Sequence, residues 1–322
     1  MISEELISKV NELNEKFKER NNNSNLSRDK VRSLLNKVEG QKIQTFTKMS
    51  EEELKAFKGQ KHICVVDGSV NRVGANYPNY VEFFQAMAML NSKDKPIVKT
   101  DVVCPLIDGF DEMDELNQSK RTLCLTEIAA AYDAVKNHDV KALLMDGTLV
   151  RYHIQASDEF EQLVNLCREK EVVLIGVVEE INTKIIMKTY EAAHKSIGML
   201  FDREALFNAF DMNEGFIVKE HKSWKAKIGI EQAFVRTSKD PCVIAIDIMD
   251  YNLDIFNTII SFVLALCDEN TRGVPFLLDI VDKKTRIENS KVKMLASKYL
   301  DTEIFQAIFR SQRSKRVIWW MV

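Results

Sequence analysis

Two uninterrupted apolar segments, each followed by Asp-Gly and a hydroxyl residue, constrain the fold of this chain most strongly. Residues 63–66 lead into Asp67-Gly-Ser, and residues 142–145 lead into Asp146-Gly-Thr, 79 positions later (146 − 67). Apolar segments without alternation are typical of strands that are covered on both faces. Acids that follow such strands lie where open α/β sheets place their chemistry. The repeated pattern therefore predicts two buried strands that deliver carboxylates to one cation site, with Gly68 and Ser69 ending the first strand.

Net charge, cysteine spacing and the lack of long apolar segments indicate where the protein acts and what it can bind. The 322 residues carry a formal net charge of −3, so the chain has no overall basic field, and any nucleic-acid binding depends on local patches or bound metal. The six cysteines show no zinc-type spacing and indicate buried thiols in a reducing compartment. The first residues are too acidic for a signal peptide, and no apolar segment reaches about 18 residues. We therefore expect a cytoplasmic protein with no membrane contact.

The pattern of the chain predicts three parts. Residues 1–60 form a helical arm, in which Leu6, Val10, Leu13 and Phe17 make one apolar stripe. This stripe either covers the main domain or contacts a second copy, and both readings stay open. Residues 61–309 form a single nuclease-sized domain, and residues 310–322 form a basic and then apolar tail.

The first half of the main domain alternates strands and helices clearly. Strands are predicted at 63–67, 80–90, 97–104, 141–146 and 172–178, with helices at 119–137 and 158–170. The two helical crossovers imply that the strands they join are parallel.

The pattern after residue 180 is weaker. Helices are predicted at 184–200, 202–210, 253–266 and 274–300, and a β-rich section covers 216–230, 232–236 and 242–248.

Three acidic residues lie on the predicted strands and helices of the first half of the domain. Asp67 and Asp146 end two strands, and Glu127 lies inside the helix before the second of them. Convergent carboxylates repel one another unless a divalent cation such as Mg²⁺ or Mn²⁺ neutralises them. Two ions about 3.5–4 Å apart can activate water and stabilise the leaving oxygen of a phosphodiester. This placement resembles the α/β ribonuclease H-like fold, a mixed sheet flanked by helices, in which a late helix supplies a fourth ligand. Asp282 is our choice for it, with Asp279 as the alternative.

Other interpretations of these motifs are weaker. An Asp-Gly pair after a strand is often only a turn, and a lone Glu127 would be an ordinary helix residue. Leu144-Met-Asp-Gly-Thr is similar to the loop of haloacid-dehalogenase phosphatases, but Leu144 stands where their nucleophilic aspartate is required. Asp67-Gly-Ser could also belong to the phosphate loop of a sugar-kinase or actin-like protein, but no glycine-rich nucleotide motif or Walker lysine supports that interpretation.

Four short motifs in order resemble the NurA nucleases. They are Val-Val-Asp-Gly-Ser at 65–69, Leu-Leu-Met-Asp-Gly-Thr-Leu at 143–149, Leu-Ile-Gly-Val-Val at 174–178 and Gly-Val-Pro-Phe-Leu-Leu-Asp-Ile-Val-Asp at 273–282. The resemblance implies a ribonuclease H-like core, dependence on Mn²⁺ or Mg²⁺ in a two-metal site, and a homodimer. It also implies 5′-end exonuclease and single-strand endonuclease activity with a hexameric HerA-like ATPase, in DNA end processing or defence. Asp67, Glu127 and Asp146 match the family's metal-binding acids.

This chain departs from the NurA pattern at three places. Asp282 replaces a frequent histidine, Val274 replaces a frequent tyrosine, and Glu179-Glu180 replaces a common basic residue, with Lys184 the nearest substitute. These departures leave an alternative open, in which the chain is a catalytically weak subunit that binds and regulates a partner ATPase.

Residues for DNA contact are predicted from local chemistry. The segment 221–227 mixes cations with an aromatic ring, as a single-strand groove does, although an exposed hairpin edge would have the same composition. The predicted DNA-binding residues are Ser69, Lys184, Lys222, Trp224, Lys225 and Lys227.

Overall fold

The structure is a computed structural model that describes residues 2–24, 27–37, 42–92, 94–184, 201–218 and 224–309. The chain divides into two compact units. The first comprises Met1–Met49, Val178–Ile246 and Asn257–Val274. The second comprises Ser50–Val177, Asp247–Phe256 and Pro275–Val322.

Helices and strands alternate through both units. The described strands are β1 (Gln44–Thr45), β2 (His62–Gly74), β3 (Tyr80–Leu90), β4 (Ile97–Val103), β5 (Val140–Asp146), β6 (Val173–Val178), β7 (Glu214–Ile217), β8 (Ile230–Val235) and β9 (Ile244–Met249). The described α-helices are α1 (Glu4–Ser24), α2 (Arg28–Lys37), α3 (Glu51–Lys58), α4 (Pro105–Asp108), α5 (Glu115–Asn137), α6 (Leu149–Gln155), α7 (Ser157–Glu169), α8 (Asp202–Leu206), α9 (Trp224–Lys227), α10 (Phe256–Ala265), α11 (Phe276–Thr285), α12 (Asn289–Tyr299) and α13 (Thr302–Ile304). A 3₁₀ turn (Asp250–Ile255) precedes α10, and a π-helical turn (Phe305–Phe309) follows α13.

The second unit contains a mixed sheet in the order β6-β5-β2-β3-β4. Strand β2 pairs in parallel with β5, β5 pairs in parallel with β6, and β3 is antiparallel to both β2 and β4. Helix α5 packs against β2, β3 and β4 through small side chains such as Ala130 and Ala134, which let the helix approach the sheet closely. The predicted α/β class, the ribonuclease H-like mixed sheet flanked by helices and the parallel crossovers are confirmed.

Strand β2 is longer than the sequence predicted. Gly68 and Ser69 do not end it, because the strand continues to Gly74. Parallel pairing with β5 ends at Val66, whereas antiparallel pairing with β3 runs on to Gly74 opposite Tyr80. Beyond Val66, β2 therefore pairs with a strand on one side only, and the uninterrupted apolar segment 63–66 stops where the pairing with β5 stops.

The predicted late helix 274–300 is interrupted. Helix α11 ends at Thr285 and α12 begins at Asn289. Side chains of the sheet bind the backbone in the gap: Gln85 donates to the Thr285 carbonyl at 3.0 Å, and Asn71 donates to the Ile287 carbonyl at 2.7 Å. These hydrogen bonds take up carbonyl groups that a continuous helix would use internally.

The first unit contains the antiparallel strands β1, β7 and β8, in that order. Its core combines α2 with β7 and β8, and it includes Leu35, Leu206, Phe210, Phe216 and Phe234. Strand β9 crosses the division between the units, because residues 244–246 belong to the first unit and residues 247–249 to the second.

The predicted arm is helical, as α1 and α2 confirm. The apolar stripe of α1 is about half exposed, whereas α2 buries Val31 and Leu35. Arg20 of α1 makes a two-pronged ion pair with Glu204, at 2.7 and 2.8 Å. Residues 2–49 belong to the first unit and residues 50–60 to the second, so the division into an arm, one domain and a tail stays a prediction.

Several predicted elements differ in detail. The segment after β5 forms two helices, α6 and α7, and part of the β-rich section is the short helix α9. The helix predicted at 253–266 begins with a 3₁₀ turn. Residues 185–200 and 310–322 lie outside the described residues, and so do the predictions made for them. Within the described ranges, no helix combines the length and the apolar character needed to cross a membrane.

Candidate metal centre

Asp67 and Asp146 lie beside each other at the point where the parallel pairing of β2 with β5 ends. Val66 is paired with Met145, so the acids that follow these two residues leave adjacent strands at the same level. Asp67 is only 7% exposed, while Asp146 is half-buried. The adjacent placement that the repeated sequence motif predicted is therefore present in the structure.

Glu127 reaches the same place from helix α5. Its side chain is 1% exposed, and its Oε1 atom lies 2.5 Å from the position that a Cβ atom would occupy on Gly68. Only a glycine after Asp67 leaves room for this carboxylate. The Asp-Gly pair therefore serves close approach of a helix side chain here, not a turn.

A fourth acid, Asp282, interacts electrostatically with Asp67. The pKa of Asp67 rises to about 8, first because burial removes water from its carboxylate, and then because Asp146, Glu127 and Asp282 repel its charge. Burial likewise raises the pKa of Glu127, and Asp146 adds to the effect. Asp282 is exposed on α11, which packs against β2. The structure thus brings all four predicted acids into one electrostatic cluster.

Arg151 is a member of this cluster that the sequence did not reveal. Its Nη2 atom donates to Glu127 Oε2 at 2.6 Å, to the Asp146 carbonyl at 2.8 Å and to the Tyr152 hydroxyl at 2.6 Å. Its position was a usable signal, because Arg151 is the third residue of α6. A cation is unfavourable at a helix N-terminus unless an acid compensates it.

Asp247 is a second residue that sequence reasoning missed. It is fully buried on β9 and accepts hydrogen bonds from the Thr148 hydroxyl at 2.5 Å and the Leu149 amide at 3.2 Å. Thr148 in turn caps α6 by accepting from the Val150 amide. The buried carboxylate therefore fixes the loop that carries Asp146 and the start of the helix that carries Arg151. No signal marked it, because a single Asp in the apolar β9 sequence has no motif around it.

A family model for the NurA domain matches residues 61–287, which is more than half of the chain. The chain belongs to the NurA family. This span includes all four acids, Arg151 and Asp247. A comparison with curated proteins found no match.

Solved NurA structures resemble this NurA-family chain in fold. The NurA nuclease from Sulfolobus solfataricus is 13% identical, with a TM-score of 0.53, 92% of this chain covered and 97% of that one. A NurA structure with manganese is 10% identical, with a TM-score of 0.58 and coverages of 91% and 99%. A NurA structure bound to dAMP and manganese is also 10% identical, with a TM-score of 0.55 and coverages of 96% and 100%. At such low sequence identities, these matches show a common fold over nearly the whole length and nothing more.

The donor set of this NurA centre fits a hard divalent cation. Four carboxylates from separate elements offer oxygen ligands alone, the type that Mg²⁺ and Mn²⁺ bind. Among the described residues, however, no group of three or more His, Cys, Asp or Glu side chains has an arrangement that could hold a metal ion. The Glu127 carboxylate is engaged by Arg151 instead. The chemistry fits, and a shift of side chains is needed to complete a coordination shell.

The predicted DNA-binding residues have different surroundings. The Ser69 hydroxyl accepts a long hydrogen bond from the Ile287 amide at 3.4 Å, and the Lys184 ammonium lies 4.5 Å from the centroid of the Phe201 ring. Lys227 is exposed. Lys225 is only 6% exposed on α9, and its contact with phosphate stays a prediction. Lys222 and the Trp224 side chain lie outside the described residues.

We expect the metal-free protein to lose stability as the pH rises from 5 to 8. The pKa of Asp67 is about 8 in the folded protein and 3.8 as its ordinary value. Between these values the folded state holds a proton that the unfolded chain releases, so the unfolding free energy falls with rising pH, by at most about 1.4 kcal/mol per pH unit. Urea unfolding in EDTA at pH 5, 6, 7 and 8 measures this slope. Asp67→Asn should flatten it, and a wild-type stability that increases over this range would contradict the expectation.

Proposed function

We propose that this chain is a metal-dependent deoxyribonuclease. The observation that carries the proposal is the convergence of Asp67, Glu127, Asp146 and Asp282, delivered by β2, α5, β5 and α11. Buried like charges are costly unless a counter-ion joins them. Membership of the NurA family and the likeness to NurA structures that contain manganese support the assignment.

The four acids have different proposed roles. Asp67 and Asp146 hold the ions, Glu127 completes the site and orients water, and Asp282 holds the second ion. A pair of Mg²⁺ or Mn²⁺ ions, when bound, lowers the pKa of water and stabilises the leaving oxygen of the phosphodiester. Asp247 acts further out, because its hydrogen bonds to the residues after Gly147 keep the Asp146 loop in place.

The substrate and partners follow from the family assignment. A NurA structure bound to dAMP supports a deoxynucleotide substrate. We propose 5′-end exonuclease and single-strand endonuclease activity, a homodimer, and a HerA-like hexameric ATPase as partner, in DNA end processing or defence in the cytoplasm. Ser69, Lys184, Lys225 and Lys227, with Lys222 and Trp224 from the same segment, stay proposed DNA contacts.

Cleavage of end-labelled DNA tests the proposal. We expect the purified protein to release short labelled products from 5′-labelled single-stranded and duplex DNA with Mn²⁺ or Mg²⁺, and to leave both intact in EDTA. Asp282→Asn should reduce the rate at least about tenfold, since it removes one anionic ligand. Asp279→Asn, three residues earlier on the same helix, tests the alternative fourth ligand: it should retain activity if Asp282 holds the ion and lose activity if Asp279 does. Full activity in EDTA would overturn the proposal.

The contact between Arg151 and Glu127 favours a second candidate, a catalytically weak subunit that regulates a partner ATPase. A carboxylate held by an arginine is not available to an ion until that pair opens. This candidate predicts no cleavage by the isolated protein with any divalent ion, together with normal binding to the ATPase. The same cleavage assay, with and without the ATPase, separates the two functions.

A further inference from the structure

The contacts of Arg151 differ from those of a permanent salt bridge. A structural arginine–carboxylate pair usually engages two guanidinium nitrogens at once. In Arg151 a single nitrogen, Nη2, approaches three oxygen atoms although it carries only two hydrogens. The Nε atom of the same side chain is buried and has no hydrogen-bond partner. The guanidinium is therefore only partly satisfied where it lies.

The Nη2 atom lies among three oxygen atoms, as a bound cation lies among its oxygen ligands. A carboxylate, a backbone carbonyl and a hydroxyl surround it at 2.6, 2.8 and 2.6 Å. The Glu127 carboxylate belongs to the proposed metal centre, and the carbonyl is that of Asp146, whose carboxylate belongs to the centre too. A guanidinium and a divalent ion cannot both lie against the Glu127 carboxylate without strong repulsion.

We propose that Arg151 is an internal cation that takes the place of a metal ion at Glu127 in the metal-free protein. When an ion binds, the contact between Glu127 and the guanidinium would break, the Glu127 carboxylate would hold the ion, and Arg151 would move aside. The side chain of Arg151 is 33% exposed, so it has an open direction in which to move. This inference rests on the proposed metal centre and adds a positioning residue that competes with the metal.

The direction of a change in metal affinity tests the inference. Arg151→Gln removes the competing cation and should make Mn²⁺ bind about tenfold more tightly or better, as measured by titration calorimetry without DNA. If Arg151 instead orders the acids for the ion, the same change weakens Mn²⁺ binding. Weaker or unchanged binding would overturn the inference.

A matched variant and a double-mutant cycle complete the test. Arg121→Gln removes a cation from α5, where Arg121 donates to the Gln155 carbonyl, and it should leave Mn²⁺ affinity within about twofold. The gain from Arg151→Gln should largely disappear in a Glu127→Gln background, because the competition is for that carboxylate. A gain that persists in full there contradicts the transfer of Glu127.

Two further variants keep the test decisive. If Arg151→Gln does not fold, Arg151→Lys retains the charge with fewer donors, and we expect it to bind Mn²⁺ more tightly than wild type by a few-fold; weaker binding overturns the inference. Asp67→Asn and Asp146→Asn report on the metal centre itself. If neither weakens Mn²⁺ binding, the proposed function fails. If both do and Arg151→Gln has no effect, only the role of Arg151 fails.

Discussion

Asp67→Asn is expected to reduce Mn²⁺-dependent DNA cleavage by at least about a thousandfold and to stabilise the metal-free protein. The carboxylate lies on β2, directly after the last residue that pairs with β5, is 7% exposed, and is among the acids that would hold the ions. An amide of nearly equal size removes the anionic ligand and also the charge that burial and three neighbouring acids oppose. We expect the unfolding free energy at pH 8 in EDTA to rise by about 1–3 kcal/mol.

Two measurements on the same preparation check this expectation. Initial rates on end-labelled DNA give the loss of activity, and urea unfolding in EDTA gives the gain in stability. Asp101→Asn, an exposed aspartate on β4, two strands away from β2, is the control and should alter neither by much. Retained cleavage would remove Asp67 from the active site. A less stable Asp67→Asn protein would contradict the buried-charge argument even if activity were lost.

Gly68→Ala is expected to be nearly as damaging although it leaves every acid in place. The new methyl group would lie 2.5 Å from Glu127 Oε1, 2.7 Å from its Cγ and 2.8 Å from the Leu123 Cδ1 atom. Glu127 must shift, so cleavage should fall at least about a hundredfold, since misplacement of a catalytic group by an ångström has this effect. Overpacking should also lower the unfolding free energy by about 1–3 kcal/mol.

Gly109→Ala provides the comparison for this variant. At Gly109 a Cβ atom would meet nothing within 4 Å, although φ is +72°, so the change strains the backbone without crowding a side chain. It should cost about 1 kcal/mol of stability and retain full cleavage activity. Equal activity in Gly68→Ala and Gly109→Ala would show that the position of Glu127 does not matter for catalysis.

The sequence was sufficient for the parts of the site that periodicity and motif encode. The apolar segments before Asp67 and Asp146 predicted neighbouring strands, because burial on both faces leaves a clear pattern. Glu127 was found only through its place between them. That its carboxylate lies against Gly68 could not be foreseen, since the approach of a helix to a strand depends on packing along α5.

The remaining features depend on contacts between distant residues. The extension of β2 to Gly74 follows from pairing with β3, and the break before α12 follows from hydrogen bonds of Asn71 and Gln85. None of these partners carries a local signal for the event it causes. Arg151 and Asp247 were missed because their roles arise from groups on other elements, although the position of Arg151 in the first turn of α6 was a usable signal. The burial of Lys225 likewise belongs to tertiary packing.

Two hydrogen bonds at Ile287, whose carbonyl accepts from Asn71 and whose amide donates to Ser69, also bear on motion within the second unit. They attach the segment after α11 to the strand that carries Asp67. We therefore expect the end of α11 and this part of β2 to open as one cooperative unit, with a common free energy of opening in amide hydrogen exchange. The spacing between Asp67 and Asp282 would then vary little in the folded protein, although 215 positions (282 − 67) separate the two acids along the chain.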